Sequence, residues 1–163
     1  MKSVKSFPNK VFSSEGLQQQ LRRWRLLNKR IVFTNGVFDI IHEGHIALLS
    51  EAAGYGEVLI VGVNTDSSVK RLKGESRPLN NQHSRALVLA ALLLTDAVTL
   101  FEEDTPLALI NAILPDVLVK GGDYSLDQIV GAGDVIAHGG EVKIVPLLEG
   151  FSTTGLIRKV KGG

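Results

Sequence analysis

The sequence predicts an open, doubly wound α/β sheet, because short aliphatic strands alternate along the chain with stretches of helical periodicity. The predicted strands are mostly aliphatic on both faces, as buried parallel strands are, and cover residues 31–34, 57–63, 97–101, 116–119 and 142–145. The predicted helices cover residues 44–54, 66–72, 82–94, 105–113, 125–131 and 153–160. In such a sheet ligands bind at the carboxyl ends of the strands, near the point where strand order reverses.

The N-terminal residues 1–29 lie outside this alternation. Leu17, Leu21, Trp24 and Leu27 repeat at helical spacing, so we expect an amphipathic helix over 14–28 that packs its apolar stripe on the sheet or on a second subunit. The sequence thus predicts a helical extension, 1–29, followed by one compact domain, 30–163, with a mainly parallel five-stranded sheet.

The composition is typical of one compact domain. The chain has 163 residues, of which 44% are hydrophobic, enough to bury a single core. Its net charge of +1 offers no bulk attraction to nucleic acid, and no apolar run approaches the roughly 18 residues that a membrane span needs. The chain has no cysteine, which excludes thiol catalysis and is compatible with the cytoplasm. We therefore expect a cytoplasmic protein with neither a nucleic-acid nor a membrane partner.

The segment after the strand at 31–34 carries the strongest functional signal. His42 and His45 lie three residues apart at the start of a helix, so both imidazoles lie on one face beside the unpaired backbone N–H groups and the positive end of the helix dipole. Gly44 removes a side chain where a ligand would approach, and Asn35-Gly36 puts a tight turn after the strand. This pattern indicates an anion site shaped for phosphate.

A zinc site is the competing interpretation of two neighbouring histidines. Metalloprotease sites place their histidines four residues apart with a glutamate between them, whereas these are three apart. The only other histidines are His83 and His138, and no further cluster completes a metal shell. We therefore expect no metal held by the protein itself.

A polar segment and a cationic loop follow the strand at 57–63. Asn64, Thr65 and Asp66 end the strand, and this segment either caps the next helix or contacts a ligand. Four basic residues then fall within eight positions, and of these Lys73 and Arg77 are expected to touch substrate from a mobile loop beside the phosphate site.

Two further segments follow the last two predicted strands. Lys120 can neutralise phosphate charge, Gly121 and Gly122 let the backbone come near a ligand, and Asp123 can accept bonds from hydroxyls or bind a cation. A second helix N-terminus, aimed at the same phosphate site, is expected at Ser152, Thr153 and Thr154.

These residues resemble the signature of a nucleotidyltransferase superfamily. The pattern Gly-x-Phe-Asp-x-x-His-x-Gly-His is matched by Gly36, Phe38, Asp39, His42, Gly44 and His45. The resemblance implies a Rossmann-like fold and transfer of a nucleoside monophosphate from a nucleoside triphosphate to the phosphate of a small acceptor, with release of pyrophosphate. It also implies that the histidine pair contacts the triphosphate.

Over about residues 12–160 the chain is similar to the adenylyltransferase family of ADP-heptose biosynthesis. The matching segments are Thr34-Asn35-Gly36, Lys70 to Gly74, Arg77-Pro78, Phe101 to Pro106, Lys120 to Tyr124 and Ser152 to Thr154. This resemblance implies ATP as donor, a heptose 1-phosphate as acceptor, and ADP-heptose for lipopolysaccharide or another surface glycan. It also implies a homodimer or larger assembly, and Mg²⁺ is expected to arrive bound to ATP.

The resemblance distributes roles over the motif residues. Catalytic roles are expected for His42, His45, Lys73 and Lys120. Nucleotide contacts are expected for Thr34, Asn35, Gly36, Phe38, Asp39, Gly44, Arg85, Gly121, Gly122, Asp123, Ser152, Thr153 and Thr154. Acceptor contacts are expected, from position, for Asn64, Asp66 and Arg77. Asp39 is expected to hold the loop or the nucleotide rather than act as a base, and Arg85 either reaches the nucleotide phosphates or pairs with Asp96.

Two alternative functions stay open. Glycerol-3-phosphate cytidylyltransferases carry an arginine and a threonine where this chain has Leu147 and Leu148, and tend to lack the double glycine, so both departures disfavour that family. A catalytically inactive nucleotide-binding regulator is disfavoured because both histidines, the glycine between them and Lys120 are intact.

Overall fold

The computed structural model describes residues 7–146, 148 and 155, and shows a parallel sheet of six strands in the order β1-β4-β3-β2-β5-β6. The strands are β1 (Val11–Phe12), β2 (Ile31–Gly36), β3 (Val58–Asn64), β4 (Ala97–Phe101), β5 (Val117–Gly121) and β6 (Glu141–Val145). The helices are α1 (Ser14–Leu26), α2 (Glu43–Ala53), α3 (Asp66–Lys73), α4 (Gln82–Ala91), α5 (Leu107–Ile113) and α6 (Ala132–Ala137). The predicted α/β class and parallel sheet are confirmed.

The prediction of five strands is wrong, because β1 adds a sixth strand at one edge of the sheet. Val11 and Phe12 lie opposite Val98 and Thr99 of β4, and the Thr99 hydroxyl donates to the Phe12 carbonyl at 3.2 Å. A strand of two residues shows no alternation in sequence, so only its tertiary pairing reveals it.

Helices cover both faces of the sheet. Along β2, Ile31 and Phe33 point to the face covered by α1, α5 and α6, while Val32 points to the face covered by α2 and α4. Leu17 and Leu21 of α1 are 1% and 3% exposed and belong to the same hydrophobic cluster as Ile31 and Phe33. The predicted N-terminal amphipathic helix therefore packs Leu17, Leu21 and Trp24 on the sheet. The prediction is wrong for Leu27, which is the C-cap of α1 and is 67% exposed.

The strand order reverses between β2 and β5. The chain passes from β2 to β3 and β4 on one side, then crosses back to β5 and β6 on the other. A crevice at the carboxyl ends of β2 and β5 is where such a fold binds its ligand.

The predicted helix over 125–131 is wrong. A short 3₁₀ turn, Leu126–Gln128, is closed by hydrogen bonds between Ser125 and Gln128, and α6 begins only after Gly131, whose φ is +80°. The capped turn and the left-handed glycine break the helical path that the sequence pattern favoured. The helix predicted over 153–160 lies outside the described residues, apart from the helical Gly155.

Within the described ranges, no helix has the length and apolar character needed to cross a membrane.

Candidate active site

The two motif histidines lie at the N-terminus of α2 and stack on each other. His42 is the N-cap residue, with extended backbone and no capping bond from its side chain, and its carbonyl accepts from the backbone N–H of His45 at 2.9 Å. The two imidazole centroids are 3.8 Å apart with 25° between the ring planes, and the Phe38 ring centroid lies 5.1 Å from that of His45. The helix start therefore presents two imidazoles together with its free N–H groups, as the sequence predicted.

Burial favours the neutral form of both histidines. It lowers the pKa of His42, and burial together with repulsion from His42 and Lys73 when they are protonated lowers the pKa of His45 to about 4. The Nδ1 atom of each ring is buried and has no hydrogen-bond partner among the described residues. Each neutral ring has one N–H donor and one acceptor, and an arriving anion favours protonation of either ring.

Asp39 of the motif holds a loop, and its surroundings do not suit a general base. Its buried carboxylate accepts from Arg77 Nε at 2.9 Å and from the backbone N–H groups of Leu79 at 2.9 Å and Asn80 at 2.8 Å. Burial would raise the pKa of Asp39, but these hydrogen bonds and the Arg77 charge outweigh it and hold the pKa below its ordinary 3.8. Of the two roles predicted for Asp39, the structure shows it holding the loop, and Arg77, predicted to reach the acceptor, is paired with it.

Arg85 is 2% exposed, and each of its three guanidinium nitrogens donates to a protein group. It pairs with Asp66 at 2.7 Å and donates to the carbonyls of Val37 and Asn80. The alternative pairing with Asp96 is wrong, because the Asp96 carboxylate accepts from the Leu59 N–H at 2.9 Å, at the start of β3.

The segment after β3 serves first to begin a helix. Thr65 is the N-cap of α3, and its hydroxyl accepts from the Ser68 N–H at 3.3 Å. The Asn64 amide donates to the Ser68 hydroxyl at 3.0 Å, and Asp66 lies in the first turn beside Arg85. The capping alternative is thus confirmed for this segment, with Thr65 rather than Asn64 or Asp66 as the cap.

A cleft of about 470 Å³ lies at the carboxyl ends of β2, β3 and β5. Of the predicted site residues, it is lined by Asn35, Gly36, Asn64, Lys73 and Lys120. Its other walls, which motif reasoning did not assign to the site, are Val37, Leu72, Asp104, Thr105, Pro106, Leu118, Tyr124, Gln128, Ile129 and Val130. Thr105 and Pro106 belong to a segment that the family resemblance had singled out, whereas Gln128 to Val130 carry no motif and fell inside the wrongly predicted helix.

Two lysines give this cleft its charge. No carboxylate in the described part of the chain lies within ion-pair distance of Lys73 or Lys120. Lys120 is half-buried, burial lowers its pKa, and its Nζ lies 5.9 Å from the centre of the Tyr124 ring. A half-buried cation without a counter-ion favours binding of an anion, because the anion supplies the missing charge.

The two glycines at the end of β5 occupy backbone positions that a side chain would obstruct or strain. A Cβ at Gly121 would lie 3.1 Å from the Leu48 side chain, and Gly122 has a φ of +138° while its N–H donates to the Val145 carbonyl at 3.0 Å. These two residues let β5 end tightly against α2 and β6, and the neighbouring Asp123 is exposed.

The remaining predicted residues are placed as follows. Gly36 ends β2 against the Phe38 ring, Gly44 lies in the first turn of α2, and the Thr34 hydroxyl is buried in β2 without a hydrogen-bond partner. The predicted Ser152, Thr153 and Thr154, and the comparison residue Leu147, lie outside the described residues. No group of three or more histidine, aspartate or glutamate side chains suited to a metal ion occurs within the described ranges.

Several curated proteins that are similar to this chain carry the same name. The bifunctional protein HldE of Koribacter versatilis is 55% identical over 150 residues, which are 92% of this chain and 31% of that protein. The bifunctional protein HldE of Nitrobacter winogradskyi is 56% identical over 154 residues, 94% of this chain and 32% of that protein. The chain spans about a third of the length of these relatives.

Solved structures and a family model agree with the fold. A lipopolysaccharide core biosynthesis protein from Thermoplasma volcanium matches with a TM-score of 0.59 and 30% identity, over 74% of this chain and 97% of that one. Pantoate-beta-alanine ligase from Francisella tularensis matches with a TM-score of 0.60 at 14% identity over 93% of this chain and 76% of that one, a likeness of fold alone. The family model described as cytidylyltransferase-like matches residues 33–158. The chain therefore belongs to the cytidylyltransferase-like family of nucleotidyltransferases.

Proposed function

We propose that the chain transfers AMP from ATP to a heptose 1-phosphate and so forms ADP-heptose and pyrophosphate. The observation that carries this proposal is the pair of stacked histidines at the N-terminus of α2. Lys73, whose charge acts on His45, lines a cleft together with Lys120, and neither lysine pairs with a described carboxylate. The donor and acceptor are supported by the motif resemblance, and the sugar chemistry by the similarity to a protein of lipopolysaccharide core biosynthesis.

The reaction is an in-line displacement at the α-phosphorus of ATP. An oxygen of the acceptor phosphate forms a bond to this phosphorus, and the bond to the oxygen that bridges to the β-phosphorus breaks, so pyrophosphate leaves with the electron pair. The acceptor phosphate is already anionic at neutral pH and needs no general base. Catalysis then depends on holding two anions in line and on spreading the growing charge.

The residues divide this work between donors and cations. His42 and His45 donate hydrogen bonds to the triphosphate and to the transition state, helped by the N–H groups of α2. Losing one such preorganised donor typically costs about 3 to 4 kcal/mol, or roughly 100- to 1000-fold in rate. Lys73 and Lys120 neutralise the phosphates that meet in the cleft, and the segment Ser152–Thr154 is proposed to add a second helix N-terminus.

The nucleotide brings Mg²⁺ with it. This ion keeps several of its waters and binds phosphate oxygens, with one or two carboxylates at most. When bound, it neutralises charge on the leaving pyrophosphate. Of the carboxylates near the cleft, Asp104 is paired with Arg71 at 2.8 Å, whereas Asp123 is exposed and forms no ion pair with a described residue. Asp123 is thus the carboxylate we propose as an outer contact for the ion.

Product analysis tests the proposal directly. The protein is incubated with Mg²⁺ and either ATP or CTP, against both anomers of heptose 1-phosphate, other sugar 1-phosphates and glycerol 3-phosphate, and the products are identified by mass spectrometry. ADP-heptose from ATP supports the proposal. CDP-glycerol from CTP would replace it with the cytidylyltransferase alternative, and nucleotide binding without any product would favour a regulator.

A further inference from the structure

The side chain of Arg85 is fully buried, and its hydrogen bonds go to Val37 of the motif loop and to the neighbouring Asn80 and Asp66. We infer that Arg85 is a positioning residue that holds the histidine pair in place by fixing the peptide between Val37 and Phe38, and that it contacts no phosphate. The inference rests on the proposed function only in naming the reaction that this placement serves.

Phe38, which follows the peptide held by Arg85, has an unusual backbone conformation. Its φ is +50°, in the left-handed region that a residue with a bulky side chain rarely adopts. The peptide before it is held by Arg85, whose Nη1 donates to the Val37 carbonyl at 2.6 Å. The next residue, Asp39, is held through its carboxylate, which accepts from the N–H groups of Leu79 and Asn80. The strained residue is therefore clamped on both sides.

The Phe38 ring packs against the histidine pair. The Phe38 ring lies on Gly36, where a Cβ would approach it to 3.0 Å, and 4% of Phe38 is exposed. Its other neighbour is the His45 ring, at 5.1 Å between centroids, and His45 in turn stacks on His42 at 3.8 Å. A change in the Phe38 backbone therefore moves the surface against which His45 packs.

In this arrangement the Arg85 guanidinium is directed at protein groups and not at a bound phosphate. Nε of Arg85 donates to the Asn80 carbonyl at 3.0 Å, Nη1 donates to Val37, and Nη2 pairs with Asp66 at 2.7 Å. The side chain has no exposed surface, so a phosphate could reach the guanidinium only if the loops around it moved. Its positive charge is already balanced by Asp66.

The same guanidinium also connects two elements that carry the proposed machinery. Asp66 lies in the first turn of α3, and Lys73 lies at the end of that helix. Arg85 thus ties α3 to the loop that leads into α2, so the lysine and the histidine pair keep a constant relative position.

The test compares Arg85→Lys with Arg30→Lys. Arg30 is a matched control, since it also donates to a backbone carbonyl, that of Tyr55 at 3.0 Å, and to a carboxylate, that of Glu141 at 2.7 Å, but at the other end of β2. Lysine keeps the charge beside Asp66 but cannot make the planar set of three bonds. Two quantities are measured: the His45 titration by NMR without ligand, and kcat and KM for ATP.

In Arg85→Lys we expect the midpoint of the His45 titration to rise from about 4 towards 6.5, because the ring becomes less buried. We expect kcat to fall about 10- to 100-fold with KM for ATP within about threefold, as misplacement of reacting groups does. Arg30→Lys should change neither. An unchanged His45 titration in Arg85→Lys overturns the inference whatever happens to turnover. A rise of tenfold or more in KM for ATP with kcat unchanged overturns it in favour of a phosphate contact.

A second variant keeps the test decisive if Arg85→Lys does not fold. Phe38→Leu keeps an apolar side chain in the core but removes the ring from His45, and should shift the His45 titration in the same direction. No shift there overturns the inference. The titration needs no substrate, so a protein that makes no ADP-heptose still reports whether the clamp exists, and failure of the proposed reaction is told apart from failure of this inference.

Discussion

Replacing Asp39 with alanine should destabilise the fold strongly, because the carboxylate is the common acceptor for a whole loop. Its side chain is 1% exposed and pairs with Arg77, itself 14% exposed, at 2.9 Å. It also accepts from the backbone N–H groups of Leu79 and Asn80. Alanine leaves a nearly buried guanidinium and two backbone donors without partners.

The size of the loss follows from the burial of these partners. Removing one member of a buried ion pair typically costs about 3 to 5 kcal/mol, a large part of the roughly 5 to 15 kcal/mol by which a domain is stable. With a urea m-value of about 2 kcal/mol/M, the midpoint of unfolding should fall by about 2 M. Asp39→Asn keeps one acceptor oxygen and should lose about half as much.

Urea unfolding followed by circular dichroism measures the effect, with Glu141→Gln as the control. Glu141 forms an ion pair of 2.7 Å with Arg30, but the two side chains are 50% and 46% exposed, and an exposed pair contributes little to stability because solvent screens it. A midpoint for Asp39→Ala within about 0.5 M of that for Glu141→Gln would refute the reasoning. The pKa of Asp39 is below 3.8, so this stabilisation is complete above the unfolded pKa and is lost as pH falls through the folded one.

Three further predictions concern the candidate active site. His42→Ala and His45→Ala should each lower turnover at least about 100-fold while leaving the urea midpoint nearly unchanged, and wild-type turnover from either would sink the proposed mechanism. Burial lowers the pKa of His45 from 6.5 to about 4 in the folded chain, so its contribution to the free energy of unfolding should be constant above pH 6.5 and should be lost as pH drops towards 4. A shift of this size corresponds to about 3 kcal/mol for a fully buried group, and we expect a loss of about 1 kcal/mol because this ring is partly exposed and screened by solvent. His45→Gln should flatten this dependence in urea titrations at pH 7.5 and 5, and an equal slope in both proteins would contradict it. Lys120→Met removes a half-buried cation without a counter-ion, so stability should hold or rise while KM for ATP or the acceptor rises about tenfold or more; unchanged steady-state kinetics would remove Lys120 from the site.

Much of the fold can be predicted from local patterns of apolar residues in the sequence. The aliphatic strands at β2 to β6 alternate with helices, and parallel strands covered on both faces must be apolar on both, so class and layer order follow from the sequence. The pair His42 and His45 could be predicted for a similar reason, since spacing alone puts both at one helix start.

Other features depend on partners that are distant in the chain. The two residues of β1 form a strand only because they pair with β4 at the edge of the sheet. Gln128, Ile129 and Val130 line the cleft only because a capped turn interrupts the expected helix. For a charged side chain the sequence does not reveal which groups lie within hydrogen-bonding distance.

The doubly wound α/β class and the two histidines at one helix start follow from the sequence alone, because periodicity and a compact motif act over a few residues. The partners of the buried charges depend on tertiary packing: Arg85 pairs with Asp66 rather than Asp96, and Arg77 with Asp39. The physical reason is that a buried charge is stable only where several loops bring acceptors or counter-charges to it at once. Those loops meet only after the sheet and its helices have packed.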